Sequence, residues 1–244
     1  MNVLTFPSMG IVIGENALEY LKTLEFTSAF IVTGGSSMIK YGVIDRAKEY
    51  LKGEGKKITV YSGIQKNPTT YEVLRGIEEM NKAKPDLVVA IGGGSAIDCA
   101  KCMTLFYEFP EIWFSNVMSI RLPATRKTKF IAVPSTSGTG SEVTHVSVIT
   151  NVEENLKFAI KAPVLKPDIA ILDGSIAMTM PPKIAAESGM DALTHAIECY
   201  INHDLEIGDE WMAKGAIQRI IGNLRKSCLE PGLENRTKMH YYQC

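Results

Sequence analysis

The sequence predicts an α/β fold, a parallel-sheet domain over residues 1–180 followed by the N-terminal part of an all-helical domain over 181–244. Three observations lead there. Up to about Asp173, short β-branched runs alternate with helix-period stretches, as parallel βαβ units require. Beyond Pro181-Pro182 the β-branched runs fade and helical periodicity takes over. The clearest buried strand, Leu87 to Ile91, runs straight into Gly92-Gly93-Gly94-Ser95 and a helical stretch, the join between a strand and a crossover helix.

Taken in order, the run Met1 to Gly14 is broken by Thr5, Pro7 and Ser8, and no Lys or Arg precedes Lys22, so it does not read as a signal peptide. Ala29 to Thr33 reads as a strand and Ile39 to Lys52 as a helix. Lys57 to Ser62 is a second strand, and Asn67-Pro68-Thr69 a turn that starts the amphipathic helix Tyr71 to Lys82. After the strand at Leu87 comes a helix from Ala96 to about Leu105. Phe106 to Lys129 shows no period and is expected to form a long loop over the cleft. Phe130 to Val133, Val146 to Thr150 and Ile169 to Leu172 are the remaining strand-like runs. Helices follow at Lys183 to Tyr200, Glu210 to Arg225 and Glu234 to the end.

Composition excludes several classes. The 26 basic and 27 acidic residues give a formal charge of −1, which leaves no surplus to hold a nucleic acid. No apolar stretch approaches the roughly 20 residues of a membrane helix. A soluble protein in the cytoplasm is the expectation. Five cysteines, an odd number in a chain of this size, do not make a disulfide framework. Cys99 and Cys102 form a C-x-x-C, but they fall within a helix rather than at its N-terminus and no second such pair exists, so they read as small helix residues.

Three contiguous glycines after a strand suit a phosphate cradle. They let the backbone approach an anion, the following helix aims free N–H groups at it, and Ser95 adds a hydroxyl. Gly92, Gly93 and Gly94 lack the spread of G-x-G-x-x-G, so this is not the usual dinucleotide loop. A second run, Pro134 to Glu142, is crowded with hydroxyls and glycines. In a parallel sheet, loops at the carboxyl ends of strands share one crevice, which would bring this run against Gly92 to Ser95. On the helix after Gly189, Asp191 and His195 lie four apart on one face, where an oxygen and a nitrogen donor suit Fe²⁺ or Zn²⁺. By residues alone, the preferred reading is Ser188-x-x-Asp191 as a capping-box variant and His195 as an ordinary helix residue.

Together, Gly92-Gly93-Gly94-Ser95-x-x-Asp98-x-x-Lys101, Pro134 to Thr144 and Gly189-Met190-Asp191-Ala192-Leu193-Thr194-His195-Ala196-Ile197-Glu198 resemble the iron-containing (group III) alcohol dehydrogenase family, closest to its butanol dehydrogenase-like members. The resemblance implies that residues 1–180 are a dinucleotide-binding domain, with a metal held between it and the helical part. It implies pyrophosphate on Gly93, Gly94 and Ser95, the nicotinamide side lined by Thr136, Thr139 and Thr144, and further cofactor contacts from Asn67 and Lys157. Asp98 and Lys101 have no assigned role beyond an ion pair pinning their helix. Metal ligands would be Asp191 and His195, with a primary alcohol or aldehyde as substrate and a homodimer as the habitual assembly.

In such a family an Asp after the first of these strands selects NAD, because its charge repels a 2′-phosphate. Here Gly34, Gly35 and Ser36 stand after Thr33, so NADP(H) is expected over NAD(H). The family's two later metal-binding histidines have no counterpart, since His145, His203 and His240 match none of their positions. After Pro231-Gly232, the helical pattern reaches Tyr241, Tyr242 and Cys244 with no Gly, Asn or Pro stop signal. The expectation is therefore a C-terminally truncated enzyme. Its alternatives are a catalytically deficient dinucleotide-binding fragment, or a relative of the same fold such as a polyol dehydrogenase or dehydroquinate synthase.

Overall fold

A computed structural model describes residues 1–6, 9–202, 204 and 208–243, the Phe6 side chain excepted. Its strands are β1 (Asn2–Phe6), β2 (Met9–Gly14), β3 (Ser28–Gly34), β4 (Lys57–Ile64), β5 (Leu87–Gly92), β6 (Lys129–Pro134), β7 (Val146–Asn151), β8 (Leu156–Lys161) and β9 (Ile169–Asp173). Its helices are α1 (Ser37–Lys40), α2 (Val43–Leu51), α3 (Thr70–Ala83), α4 (Gly94–Glu108), α5 (Gly174–Ala177), α6 (Pro182–Tyr200), α7 (Asp209–Leu229) and α8 (Leu233–Tyr242). Seven strands form one sheet in the order β1-β2-β9-β6-β5-β3-β4, parallel throughout except for the β1–β2 hairpin.

Alternation along the strands separates two core layers. Phe30, Val32, Val88, Ala90, Phe130 and Ala132 pack under α3 and α4. Ala29, Ile31, Val89, Ile91, Ile131 and Val133 pack under α2 and a 3₁₀ turn at Ala17–Thr23. Every residue of β5 is buried, which is why it reads as a continuous apolar run rather than an alternating one. The chain leaves β3 outward to β4 and returns on the other side of β3 as β5. This reversal opens a crevice at the carboxyl ends of β3 and β5, the position where open α/β sheets take ligands.

Several expectations need correction. The single helix at Ile39 to Lys52 is two, because Gly42 adopts a left-handed conformation (φ 68°) between α1 and α2. Val146 to Thr150 is a strand but lies outside the main sheet, paired antiparallel with β8, a strand the sequence pattern did not show. β1 and β2 were likewise not expected; their hairpin adds to the β9 edge and extends a sheet whose interior strands are all parallel. The segment between Phe106 and Lys129 is indeed irregular, but it does not cover the cleft. Ile112 and Val117 are buried in the α3–α4 layer, and Phe106, Trp113, Phe114 and Phe158 form an aromatic cluster that ties it to β8.

Beyond Pro181 the described chain is helical. α6 and α7 pack closely: a Cβ on Gly189 would collide with Leu224 Cδ1 and come within 3.2 Å of Met239 Cε. No helix among the described residues is long and apolar enough to cross a membrane.

Candidate functional site

The crevice holds a cavity of about 770 Å³ bordered by four pieces of chain. The first is the glycine loop. Gly93 is the N-cap of α4 in extended backbone, and its carbonyl accepts from the amides of Ala96 (3.0 Å) and Ile97 (3.3 Å). The second is the hydroxyl-rich loop after β6, tied to the first where Ser135 N donates to Gly92 O at 2.8 Å. The two loops approach so closely that a Cβ on Gly94 would lie 2.7 Å from Thr139 Oγ1, and one on Gly93 3.5 Å from Thr136 Oγ1. At Gly94 a side chain would strike Thr139, and the bare backbone there leaves amides open beside the threonines, so the donor set and its space fit a dinucleotide pyrophosphate.

The third piece is the turn before α3. Asn67 holds a left-handed conformation (φ 58°), uncommon outside glycine and found where surrounding contacts enforce it. Those contacts are present. Asn67 N donates to Ser95 Oγ (3.3 Å), Lys157 Nζ donates to Asn67 Oδ1 (3.1 Å), and Thr150 N donates to Pro68 O (2.8 Å). The β7–β8 hairpin therefore delivers Lys157 to the cavity and braces the turn. α3 starts where the sequence indicated, with a reciprocal capping box between Thr69 and Glu72.

Asp98 and Lys101 face this region from α4, but no direct ion pair joins them among the described residues. Lys101 is 1% exposed and donates to Thr144 O (2.9 Å), Thr144 Oγ1 (3.2 Å) and Val146 O (2.8 Å), fixing the loop end that carries Thr144 and the first residue of β7. Burial lowers its pKa to about 8. Asp98 accepts from the Ser141 hydroxyl and from Val148 N (3.1 Å); burial raises its carboxyl pKa, opposed by the Lys101 charge. Two buried side chains of α4 thus hold the same stretch, Asp98 at Ser141 and Val148 and Lys101 at Thr144 and Val146.

The fourth piece is α6. Asp191 and His195 both line the cavity, with Oδ1 and Nε2 3.9 Å apart and both side chains about half exposed, close enough to share one ion. Ser188 lies inside α6, whose N-cap is Pro181, which removes the capping reading. The oxygen–nitrogen pair fits a divalent transition ion. Among the described residues, however, no group of three His, Cys, Asp or Glu side chains could hold one, so the pair is a partial ligand set.

Of the sequence-expected residues, Asn67, Gly93, Gly94, Ser95, Thr136, Thr139, Thr144, Lys157, Asp191 and His195 all border this cavity. Gly34, Gly35 and Ser36 do not. They lie at the end of β3, one strand away, with Gly34 its last residue and its N 3.5 Å from where a Gly92 Cβ would stand, and Gly35 and Ser36 beyond it open to solvent. His145 is exposed, His240 is buried behind the hydroxyl-rich loop, and His203 and Cys244 lie outside the described residues. Cys99 and Cys102 are buried free thiols whose pKa values burial pushes up, consistent with small core residues. Sequence reasoning missed His240 and Gln243 as supports of the loop; nothing in their spacing signals a contact formed across about a hundred residues.

The family model described as "Iron-containing alcohol dehydrogenase" matches residues 8–174, and "Fe-containing alcohol dehydrogenase family, C-terminal" matches 185–244. The chain is 42% identical over 233 residues to an NADPH-dependent butanol dehydrogenase of Clostridium saccharobutylicum, covering 95% of this chain and 60% of that protein. It is 33% identical to the 1-propanol dehydrogenase PduQ of Citrobacter freundii, over 93% of this chain and 58% of that one. An iron-containing alcohol dehydrogenase from Thermococcus thioreducens superimposes with a TM-score of 0.90 at 32% identity, covering 98% of this chain and 65% of that chain. The chain thus spans about three fifths of the two curated relatives' lengths.

Proposed function

The chain belongs to the iron-containing alcohol dehydrogenase family, and on that premise we propose that it serves an oxidoreductase interconverting a primary alcohol and its aldehyde with NADP(H) and a divalent iron or zinc ion. One observation carries the reading: the glycine cradle and the Asp191–His195 donor pair border the same cavity of about 770 Å³. When bound, the dinucleotide exchanges a hydride with the substrate carbon, and the ion polarises the substrate oxygen. The chain's own residues supply position. Gly93, Gly94 and Ser95 hold the pyrophosphate, Asn67 and Lys157 add a polar and a positive contact, and Thr136, Thr139 and Thr144 shape the nicotinamide side. Asp191 and His195 hold the ion at the helical wall.

NADP(H) preference rests on the missing carboxylate after β3, where Gly35 and Ser36 are solvent-open and a 2′-phosphate meets no acid. The name of the Clostridium relative supports it. Replacing Ser36 with Asp is expected to weaken NADPH more than NADH, about tenfold in relative kcat/KM or Kd; an unchanged ratio refutes the assignment of this loop. A cytoplasmic homodimer is the proposed assembly, with exposed Val3 and Leu4 on edge strand β1 available to a second copy; light scattering tests it.

A second reading, a dinucleotide-binding chain without turnover, is favoured by the partial ligand set. Bound iron and zinc, together with NADPH oxidation by butanal, separate the two. Substituting His195 with Ala is expected to remove metal while NADPH binding survives. Loss of both would assign the residue a structural role instead.

A further inference from the structure

The hydroxyl-rich loop is held from behind by α8, and the contacts are specific. His240 is fully buried; its Nδ1 lies 2.6 Å from Ser137 Oγ and its Nε2 3.1 Å from Pro134 O. A carbonyl only accepts, so Nε2 carries the proton, and Nδ1 accepts from the Ser137 hydroxyl. This is one tautomer of a neutral ring, with both nitrogens used. One turn on, Gln243 Oε1 accepts from Gly138 N and its Nε2 donates to Thr136 O at 3.3 Å. Thr136 and Thr139, on the opposite side of the same loop, face the glycine cradle.

Resting on the dinucleotide reading above, we infer that His240 is a positioning residue for the cofactor: through Ser137 and Pro134, with Gln243 beside it, it fixes the loop whose threonines close over the glycine cradle. The helical part of the chain thereby sets dinucleotide affinity without touching the dinucleotide. A loop with several glycines and serines loses much conformational freedom on ordering, and preorganisation removes that cost from binding.

The test uses the whole chain with Ser137→Ala, which deletes only the hydroxyl, His240→Asn, which keeps an acceptor near Nδ1 but loses the Nε2 donor, and the double variant. Amide hydrogen exchange over residues 135–141 is read without cofactor, and NADPH affinity by fluorescence titration. Each single variant is expected to keep its circular dichroism spectrum, exchange this loop about tenfold faster, and bind NADPH about three- to tenfold more weakly, the range of one neutral hydrogen bond. The double variant should lose less than the product of the singles. Unchanged loop exchange overturns the clamp. Faster exchange with unchanged affinity overturns the positioning role. A parent chain that binds no NADPH overturns the dinucleotide reading and the positioning role with it, while the exchange arm still decides whether α8 holds the loop.

Discussion

Acid is expected to release α8 before the sheet, and His240 sets the window. Burial is the main force lowering its pKa from 6.5 to about 4, opposed by the Pro134 carbonyl and by the negative charge of Asp173. A group whose pKa is depressed on folding contributes stability that is full above its unfolded value and is lost as pH falls toward its folded value. The window is therefore about pH 6.5 down to about 4. At about 1.4 kcal/mol per pH unit, roughly 2 kcal/mol is gone by pH 5 and about 3 by pH 4, a large share of a marginal domain stability. Urea unfolding at half-unit pH steps for the parent chain and His240→Asn is the assay. Carboxylates titrate in both chains, so the difference between the curves isolates the imidazole. The parent curve should fall more steeply between pH 6.5 and 4; parallel curves would refute the argument.

Two further perturbations test the site's framework. Lys101→Met strips the donor from the Thr144 and Val146 carbonyls; each buried acceptor left unmade costs about 1–3 kcal/mol, so unfolding free energy should drop by about 2–4 kcal/mol in urea titrations, and an intact midpoint would show those carbonyls find other donors. Gly138→Ala would set a Cβ against Ser188 O, 2.8 Å from Ser188 Cβ and 2.9 Å from Ser188 C; because backbone must move, a cost of about 1–3 kcal/mol and weakened metal binding at Asp191 and His195, one and two turns along, are expected by melting and metal titration.

Legibility from sequence divided along physical lines. Elements with strong local signals were readable: β5 as an unbroken apolar run, α3 from the Asn67-Pro68-Thr69 turn and its amphipathic period, the glycine cradle from three contiguous glycines. The β7–β8 hairpin was half legible, because Leu156 and Lys157 are exposed and alternate weakly, so β8 carries little hydrophobic pattern. The irregular segment after α4 misled because a stretch without period looks like a free loop, whereas Ile112, Phe114 and Val117 anchor it on the core. Asp98 and Lys101, three residues apart in a motif, invited an ion pair; the structure instead sends Asp98 to Ser141 and Val148 and Lys101 to Thr144 and Val146, backbone and hydroxyl groups that no local sequence pattern places there.

The same division shows where specificity and strength of the site originate. The phosphate end is written locally, in glycines whose only requirement is open backbone at a helix start. The threonine wall opposite depends on a hydroxyl, an imidazole and an amide brought together from Ser137, His240 and Gln243, separated by about a hundred residues. The metal end depends on the same contact surface, since Gly138 of that wall abuts Ser188, one turn before Asp191. On the proposed function, dinucleotide and ion would therefore lie on two faces of a single packed joint. A change that loosens the loop should reach both ligands, whereas one confined to Gly93, whose Cβ would meet Thr136 only at ordinary contact distance, should weaken the dinucleotide and leave Asp191 and His195 where they are.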